Sequence, residues 1–208
     1  MVLFVVLLAH LFAPDSAQAT TIRKLSLDEL ISSANDIVVG KCEKKETAWI
    51  EKRIFTISTI AVSHGAKGDA AGGQKIKVYT LGGSVKEPLP VTMHVPGAET
   101  MAVGEDMLLF LERFGDKKQF RRVVGMSQGK LPVADDSKTG QKAVGFELPV
   151  KGVRWVDKNG KAVAPDTAGA QEEPAPEGSL EGFLGRIHKI KAEQEKRKQA
   201  GGTKGAGP

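Results

Sequence analysis

Two residues have the chemistry from which a nucleophile is made: Cys42, the single cysteine, and Ser127. Ser127 lies in Gly125-Met126-Ser127-Gln128-Gly129, the Gly-x-Ser-x-Gly spacing. In hydrolases that spacing lifts the hydroxyl onto a sharp turn between a strand and a helix. A strand signal precedes it here, but Lys130-Leu131-Pro132-Val133 follows and reads as extended. The remaining chain is also too short for an α/β-hydrolase acid and base with their helices. Cys42 would need His64 or His94 beside it to hold a thiolate. It falls inside a strand signal between Lys41 and Glu43, where cysteine acts as a small apolar residue. A small secreted hydrolase using Ser127 or Cys42 is therefore the alternative reading, below a non-enzymatic one.

Metal and phosphate chemistry find little support. His64, His94 and His188 are scattered, with no partner His or Cys at ligand spacing. Asp135-Asp136-Ser137 with Thr139 and Gly140 lacks the calcium-loop spacing and reads as a hairpin turn. Gly65-Ala66-Lys67-Gly68 and Ala71-Gly72-Gly73 lack the Gly-Lys-Ser/Thr ending and the helix of a phosphate loop. No cofactor is expected. One cysteine excludes an intramolecular disulfide and a thiolate-rich zinc site within the chain.

The elements that would position such groups are mostly strands. Residues 1–19 read as a secretory signal peptide. An apolar run from Val2 to Phe12 is broken by Pro14 and Asp15, and Ala17-Gln18-Ala19 supplies a small-x-small cleavage pattern near Ala19. A secreted or periplasmic location follows. Ser26 and Glu29 form a capping box, and Leu27, Leu30, Ile31 and Ala34 share one face of a short helix, with Asn35 as a left-handed stop. Strand signals follow over Ile37 to Cys42, running on toward Trp49, then Arg53 to Val62 and Lys75 to Thr80. Residues 64–73 read as a glycine-rich connection. Asp106 to Phe114 carries an uninterrupted apolar run, the pattern of a strand buried on both faces. Gln119 to Met126 returns antiparallel, and Lys130 to Val133 with Lys142 to Phe146 makes one more hairpin.

Domain boundaries follow from composition: a signal segment at 1–19, a β-barrel domain at 20–150, a Pro/Gly/acidic linker at 151–178, and an amphipathic helix with a basic disordered tail at 179–208. Ser179 caps the last helix, and Leu180, Phe183, Leu184, Ile187 and Ile190 form its apolar stripe. The formal charge is +5, and the basic excess gathers beyond Gly185. Residues 20–184 are nearly neutral, so the charge describes a tail that could touch a membrane surface through residues 180–198.

Short strands with turns every eight to twelve residues predict a mainly β fold, a small barrel of OB type. The order "ANDIVVGKC", "HGAKGD", "KIKVYTLGG", "VGEDMLLFL" resembles the netrin-like domain of the tissue inhibitors of metalloproteinases. It is more similar to a set of uncharacterised secreted bacterial proteins, through Gly82-Gly83, Val95 to Ala98, Gly104-Glu105, Leu108 to Leu111, and Val123 to Lys130. The resemblance implies an OB/netrin-like barrel with an N-terminal helix and a C-terminal amphipathic helix. It does not imply protease inhibition through an N-terminal cysteine, because the expected mature N-terminus is Thr20-Thr21-Ile22.

An OB-type barrel invites nucleic-acid binding, which needs aromatic platforms in a basic groove. One Tyr, two Trp and a near-neutral domain argue against it. The expected function is a binding module for an unknown protein or envelope component. Its candidate contact region is the proline-rich loop holding Gly82, Gly83, His94, Pro96 and Gly97, with an edge strand at Val91 to Val95.

Overall fold

The computed structural model describes residues 20–145, 153–163 and 179–202. Its elements run β1 (Thr20–Arg23), α1 (Leu27–Ser33), β2 (Asp36–Ile50), β3 (Arg53–Lys67), β4 (Lys75–Leu81), β5 (Gly83–Val85), β6 (Val91–Met93), β7 (Asp106–Phe114), β8 (Phe120–Val123), β9 (Lys130–Asp135), β10 (Lys142–Val144), β11 (Val153–Val156) and α2 (Leu180–Gly202). β2 pairs antiparallel with β3 and with β7, β3 with β4, and β7 with β8. β8 lies parallel to β4 and closes the five strands into a ring. The chain is thus mainly β, with a barrel of OB type, as the strand spacing predicts. β9 continues the outer edge of β7 beside β8 and carries β10.

The unbroken apolar run of β7 has a simple cause: both of its faces are covered. Met107, Leu109 and Leu111 pack inside the barrel with Val38, Cys42, Ile60, Val62, Ile76, Val78 and Val123. Leu108 and Phe110 point the other way, into a cluster with Ile37, Val39, Leu131 and the two helices. Leu30 and Ile31 of α1 and Phe183 and Ile187 of α2 complete that outer cluster. Each such side chain contributes about 1.5–3 kcal/mol when fully buried. The capping box of α1 forms as expected: Glu29 N–H donates to Ser26 Oγ, and Ser26 N–H to Glu29 Oε2.

The ring closes at its weakest point between β4 and β8, where the ladder holds one pair, Val78 with Arg121. Side chains reinforce the seam on both sides. Outside, Phe55, Tyr79, Phe114 and Phe120 form a ring cluster, with Tyr79 edge-on to Phe120 at 4.8 Å between centroids. At one end of the interior, fully buried Asp36 receives Arg113 Nε at 3.1 Å and Arg121 Nε at 2.9 Å. Both guanidinium groups also reach Asp69. Burial opposes ionisation of Asp36, but the bonds from Arg113 and Arg121 outweigh it and hold its pKa at about 2. Gly68, at φ +89°, makes the approach possible, since a Cβ there would stand 2.2 Å from Asp36 Oδ1.

Several expected boundaries move. β3 runs to Lys67, so His64-Gly65-Ala66-Lys67 belongs to a strand rather than to a glycine-rich connection. Bulges in β3, with Ala66 and Ser63 as the extra residues opposite Ile37–Val38 and Val39–Gly40, keep it paired with β2 to that point. Asn35 is not a left-handed stop: α1 ends at Ala34 in extended geometry, and Asn35 Oδ1 instead accepts Arg113 N–H at 2.8 Å. The linker reading of 151–178 fails over 153–163. There β11 pairs parallel with β1, burying Trp155, and a turn at Asp157–Gly160 leads to a bridge between Val156 and Ala162. Gly201 and Gly202 fall within α2 rather than in a disordered tail. The signal segment 1–19, the expected strand end at Phe146, residues 164–178 and residues 203–208 lie outside the described residues.

The depressed pKa of Asp36 stabilises the fold at pH values above about 4, and that contribution is lost as pH falls toward 2. The shift corresponds to roughly 2 kcal/mol by linkage. Replacing Asp36 with Asn is expected to cost about 3–5 kcal/mol at pH 7, because two arginines lose a buried partner, and to flatten the pH 4-to-2 limb of the unfolding free energy in denaturant titrations. An unchanged acid limb in that variant excludes Asp36 as its source. Phe120→Ala, which removes a ring from the seam, is expected to lower the unfolding free energy by about 2–4 kcal/mol in the same assay.

Candidate functional site

The hairpin β5–β6 lies against the distal halves of β2 and β3. Gly82 N–H donates to Ile54 O at 2.8 Å, and Thr56 Oγ1 donates to Gly82 O at 2.9 Å. Thr47 Oγ1 donates to Ser84 O at 2.6 Å. Gly83 has φ +133°, and a Cβ there would stand 2.6 Å from Thr56 Oγ1, so the hairpin can press this close only with glycine. Gly97, at φ +80°, is needed for a similar reason: its Cβ would meet Ile22 Cδ1 at 2.5 Å. Gly82, Gly83 and Gly97 therefore position the loop through their backbone. Of the five candidate loop residues, His94 is exposed and Pro96 half-buried.

The outward surface of this region comes from residues the sequence reading passed over. Trp49 is 43% exposed, Leu89 69% and Val91 39%. An open groove of about 460 Å³ runs between Thr47–Trp49 and Ser84–Glu87. Leu89 had a visible signal: flanked by Pro88 and Pro90, it could not join a central strand and so had no core to enter. Trp49 gave none, because its exposure depends on how far the β2–β3 hairpin projects. The expected edge strand exists as β6, shortened to Val91–Met93, and among the described residues it pairs with β5 alone.

A buried carboxyl lies in the segment that follows. Glu99 is 8% exposed, and Thr80 Oγ1 donates to its Oε1. Burial pushes its pKa up to about 7, against the hydrogen bond from Thr80. Among the described residues it has no ion-pair partner. The nearest cations are engaged elsewhere: Lys130 with Glu105 at 2.6 Å and Arg122 with Glu112 at 2.9 Å. Sequence gave no hint of this burial, since a glutamate beside Pro96-Gly97 reads as surface.

Neither nucleophile candidate sits in a catalytic arrangement. Ser127 is buried, and its Oγ has no hydrogen-bond partner among the described residues, so no histidine is within reach of it. Its turn is structural. Gln128 accepts Leu25 N–H at 2.7 Å and donates to Arg23 O at 2.9 Å, tying the turn to the N-terminal segment. Cys42 is fully buried among the barrel's aliphatic side chains, and burial pushes its thiol pKa up. Its Sγ lies 3.8 Å from Lys44 O. His64 and His188 are exposed. Asp136 and Gly140 form the expected hairpin turn, with Gly140 N–H donating to Asp136 O at 2.7 Å. No group of three or more metal-ligating side chains occurs among the described residues.

Two further expectations meet the structure differently. Counting Tyr and Trp missed the phenylalanines: four rings do gather on the outer wall of β3, β4, β7 and β8. They pack on one another, and Arg122 already lies 5.2 Å over the Phe114 ring. The apolar stripe of α2 faces inward, with Phe183 and Ile187 buried and Leu180, Leu184 and Ile190 packed beside them. What α2 offers outward is a polar face with His188, Lys189 and Lys196. No described helix is long and apolar enough to cross a membrane.

No protein-family model matches the chain, and no curated protein matches it. Ser127→Ala is expected to leave the unfolding free energy unchanged or to raise it by up to ~1 kcal/mol, since it removes an unsatisfied buried hydroxyl. A loss above that size in denaturant titration indicates a partner for Oγ and reopens the question of its role.

Proposed function

We propose that the protein is a secreted or periplasmic, non-enzymatic binding module that takes an extended segment of a partner protein along hairpin β5–β6. The observation that carries this reading is an open groove between Trp49 and Ser84–Glu87, with Trp49 exposed at its wall and Leu89 and Val91 exposed farther along the same hairpin β5–β6. Large apolar side chains grouped in this way favour a partner surface, with Trp the strongest anchor type. The outer edge of β6 adds backbone donors and acceptors that an extended segment can use, and groove-lining side chains supply the selectivity. Fixed glycines and the Thr47 and Thr56 bonds hold the hairpin rigid, which lowers the ordering cost on binding. The secretory reading rests on residues 1–19 and on the likeness to secreted bacterial proteins with a netrin-like barrel. Buried Ser127 and Cys42, each without a histidine, favour binding over hydrolysis.

The test is affinity capture from an extracellular or periplasmic fraction, followed by titration of the purified partner. The doubly substituted Trp49→Ser, Leu89→Ser chain is expected to bind at least roughly tenfold more weakly than wild type, as loss of an anchor pair implies. Its thermal midpoint should stay unchanged, since both side chains are exposed. Equal affinity of the two chains rules out this surface.

A further inference from the structure

We infer that the segment from His94 to Ala102 is a proton-controlled gate over one end of the barrel, seated while Glu99 is neutral and released when Glu99 ionises. The inference rests on the docking role proposed for the β5–β6 hairpin and adds its regulation, because the segment begins where β6 ends.

Four contacts seat the segment. Gly97 backs onto Ile22 of β1 and Val153 of β11. Glu99 reaches Thr80 at the end of β4. Met101 enters the same interior cluster as Met107 and Val123. Lys130 Nζ donates to Thr100 O at 2.5 Å. The Gly97 and Met101 contacts are indifferent to the charge on Glu99. The Thr80 contact is not. A neutral carboxyl accepts the Thr80 hydroxyl and leaves no charge behind. A carboxylate in the same place is almost fully buried and meets only neutral donors, the Thr80 hydroxyl and its own backbone N–H. An uncompensated buried charge costs several kcal/mol, enough to displace a loop held by a few contacts.

The charged groups facing Glu99 decide whether it can be compensated in place. Lys130 of β9 and Arg122 of β8 are the cations whose fields reach it. Lys130 is held by Glu105 and Thr100, and Arg122 is held by Glu112 and lies over the Phe114 ring. Moving either toward Glu99 breaks an existing pair. The less costly response is for the segment to lift and hydrate the carboxylate. Burial raises the pKa of the seated carboxyl to about 7, so the loss of seating falls between mildly acidic and neutral pH.

The sign follows from linkage. The seated state binds a proton that the lifted state gives up, so seating is strongest below about pH 4.5, weakens as pH rises toward 7 and levels off above it. Amide hydrogen exchange of the full chain at pH 5.5 and 8.5, corrected for intrinsic rates, reads this directly. Residues 98–102 are expected to lose roughly tenfold to thirtyfold of their protection across that interval. The β2–β3 ladder around Ile57 and Ile60 should keep its protection. Glu99→Gln, which retains an acceptor for Thr80 without a charge, is expected to keep the segment protected at both pH values. Equal protection of the wild-type segment at pH 5.5 and 8.5 overturns the gate, and this comparison needs no variant to fold. Loss of protection in Glu99→Gln matching that of wild type overturns it as well. Neither outcome touches the docking reading, which fails only if the Trp49 and Leu89 substitutions leave partner affinity unchanged.

Discussion

The buried carboxylate of Asp36 is the constraint on which the barrel depends. It stands at the start of β2, yet its partners come from the end of β7 and from β8, and Asp69 beside it belongs to the connection between β3 and β4. One side chain therefore ties the start of β2 to β7, to β8 and to the connection that leads into β4. The need is real, because backbone pairing at the β4–β8 seam is a single step of ladder. A buried ion pair rarely adds much net stability over an apolar substitute, but it fixes geometry, since any misregistered strand leaves a charge unpaired. The aromatic cluster on the outer wall does the complementary work. It contributes area and dispersion where the Asp36 set contributes direction.

β7 couples this closure to the rest of the molecule. Its inward residues line the barrel and its outward ones support both helices, so the interior and the outer layer share one strand. α1 has two turns, too few to be stable alone, and α2 is polar over much of its length. Each is stable because Leu108 and Phe110 give it an apolar surface to cover. The inward turn of α2 removes its apolar stripe from any outside contact and leaves hairpin β5–β6 as the most apolar exposed region described.

The two ends of the barrel are finished differently. At the Asp36 end, charge is paired and held ionised far below neutral pH. At the end closed by the segment before β7, a carboxyl is buried among neutral donors alone, and burial raises its pKa to about 7. The same residue chemistry thus gives a permanent clamp in one place and a labile seat in the other. The difference lies in counter-ions: two arginines face Asp36, while the cations near Glu99 already serve Glu105 and Glu112. The labile end adjoins the hairpin proposed to meet a partner, which fits the general placement of low-stability elements beside binding surfaces.

The sequence by itself determined what local chemistry can encode. The capping box of α1, the bounds of β7, the alternation in β4, the stripe of α2 and a mainly β fold all follow from residue type and period. It also indicated that Ser127 and Cys42 lack the setting of a nucleophile, because that setting has its own sequence signature. The tertiary structure alone decided which distant residues share a charge or a surface. The pairing of Asp36 with Arg113 and Arg121 spans 77 and 85 positions, and no periodicity reports on such a distance. The strand at Val153–Val156 was hidden for the same reason: four residues amid a polar, proline-containing stretch become a strand only because β1 presents a parallel edge to them. Within the candidate loop, sequence located the region but not its working residues. Glycines that looked like contact points serve the backbone, while Trp49, Leu89 and Glu99 acquire exposure or burial only from where the barrel places its hairpins.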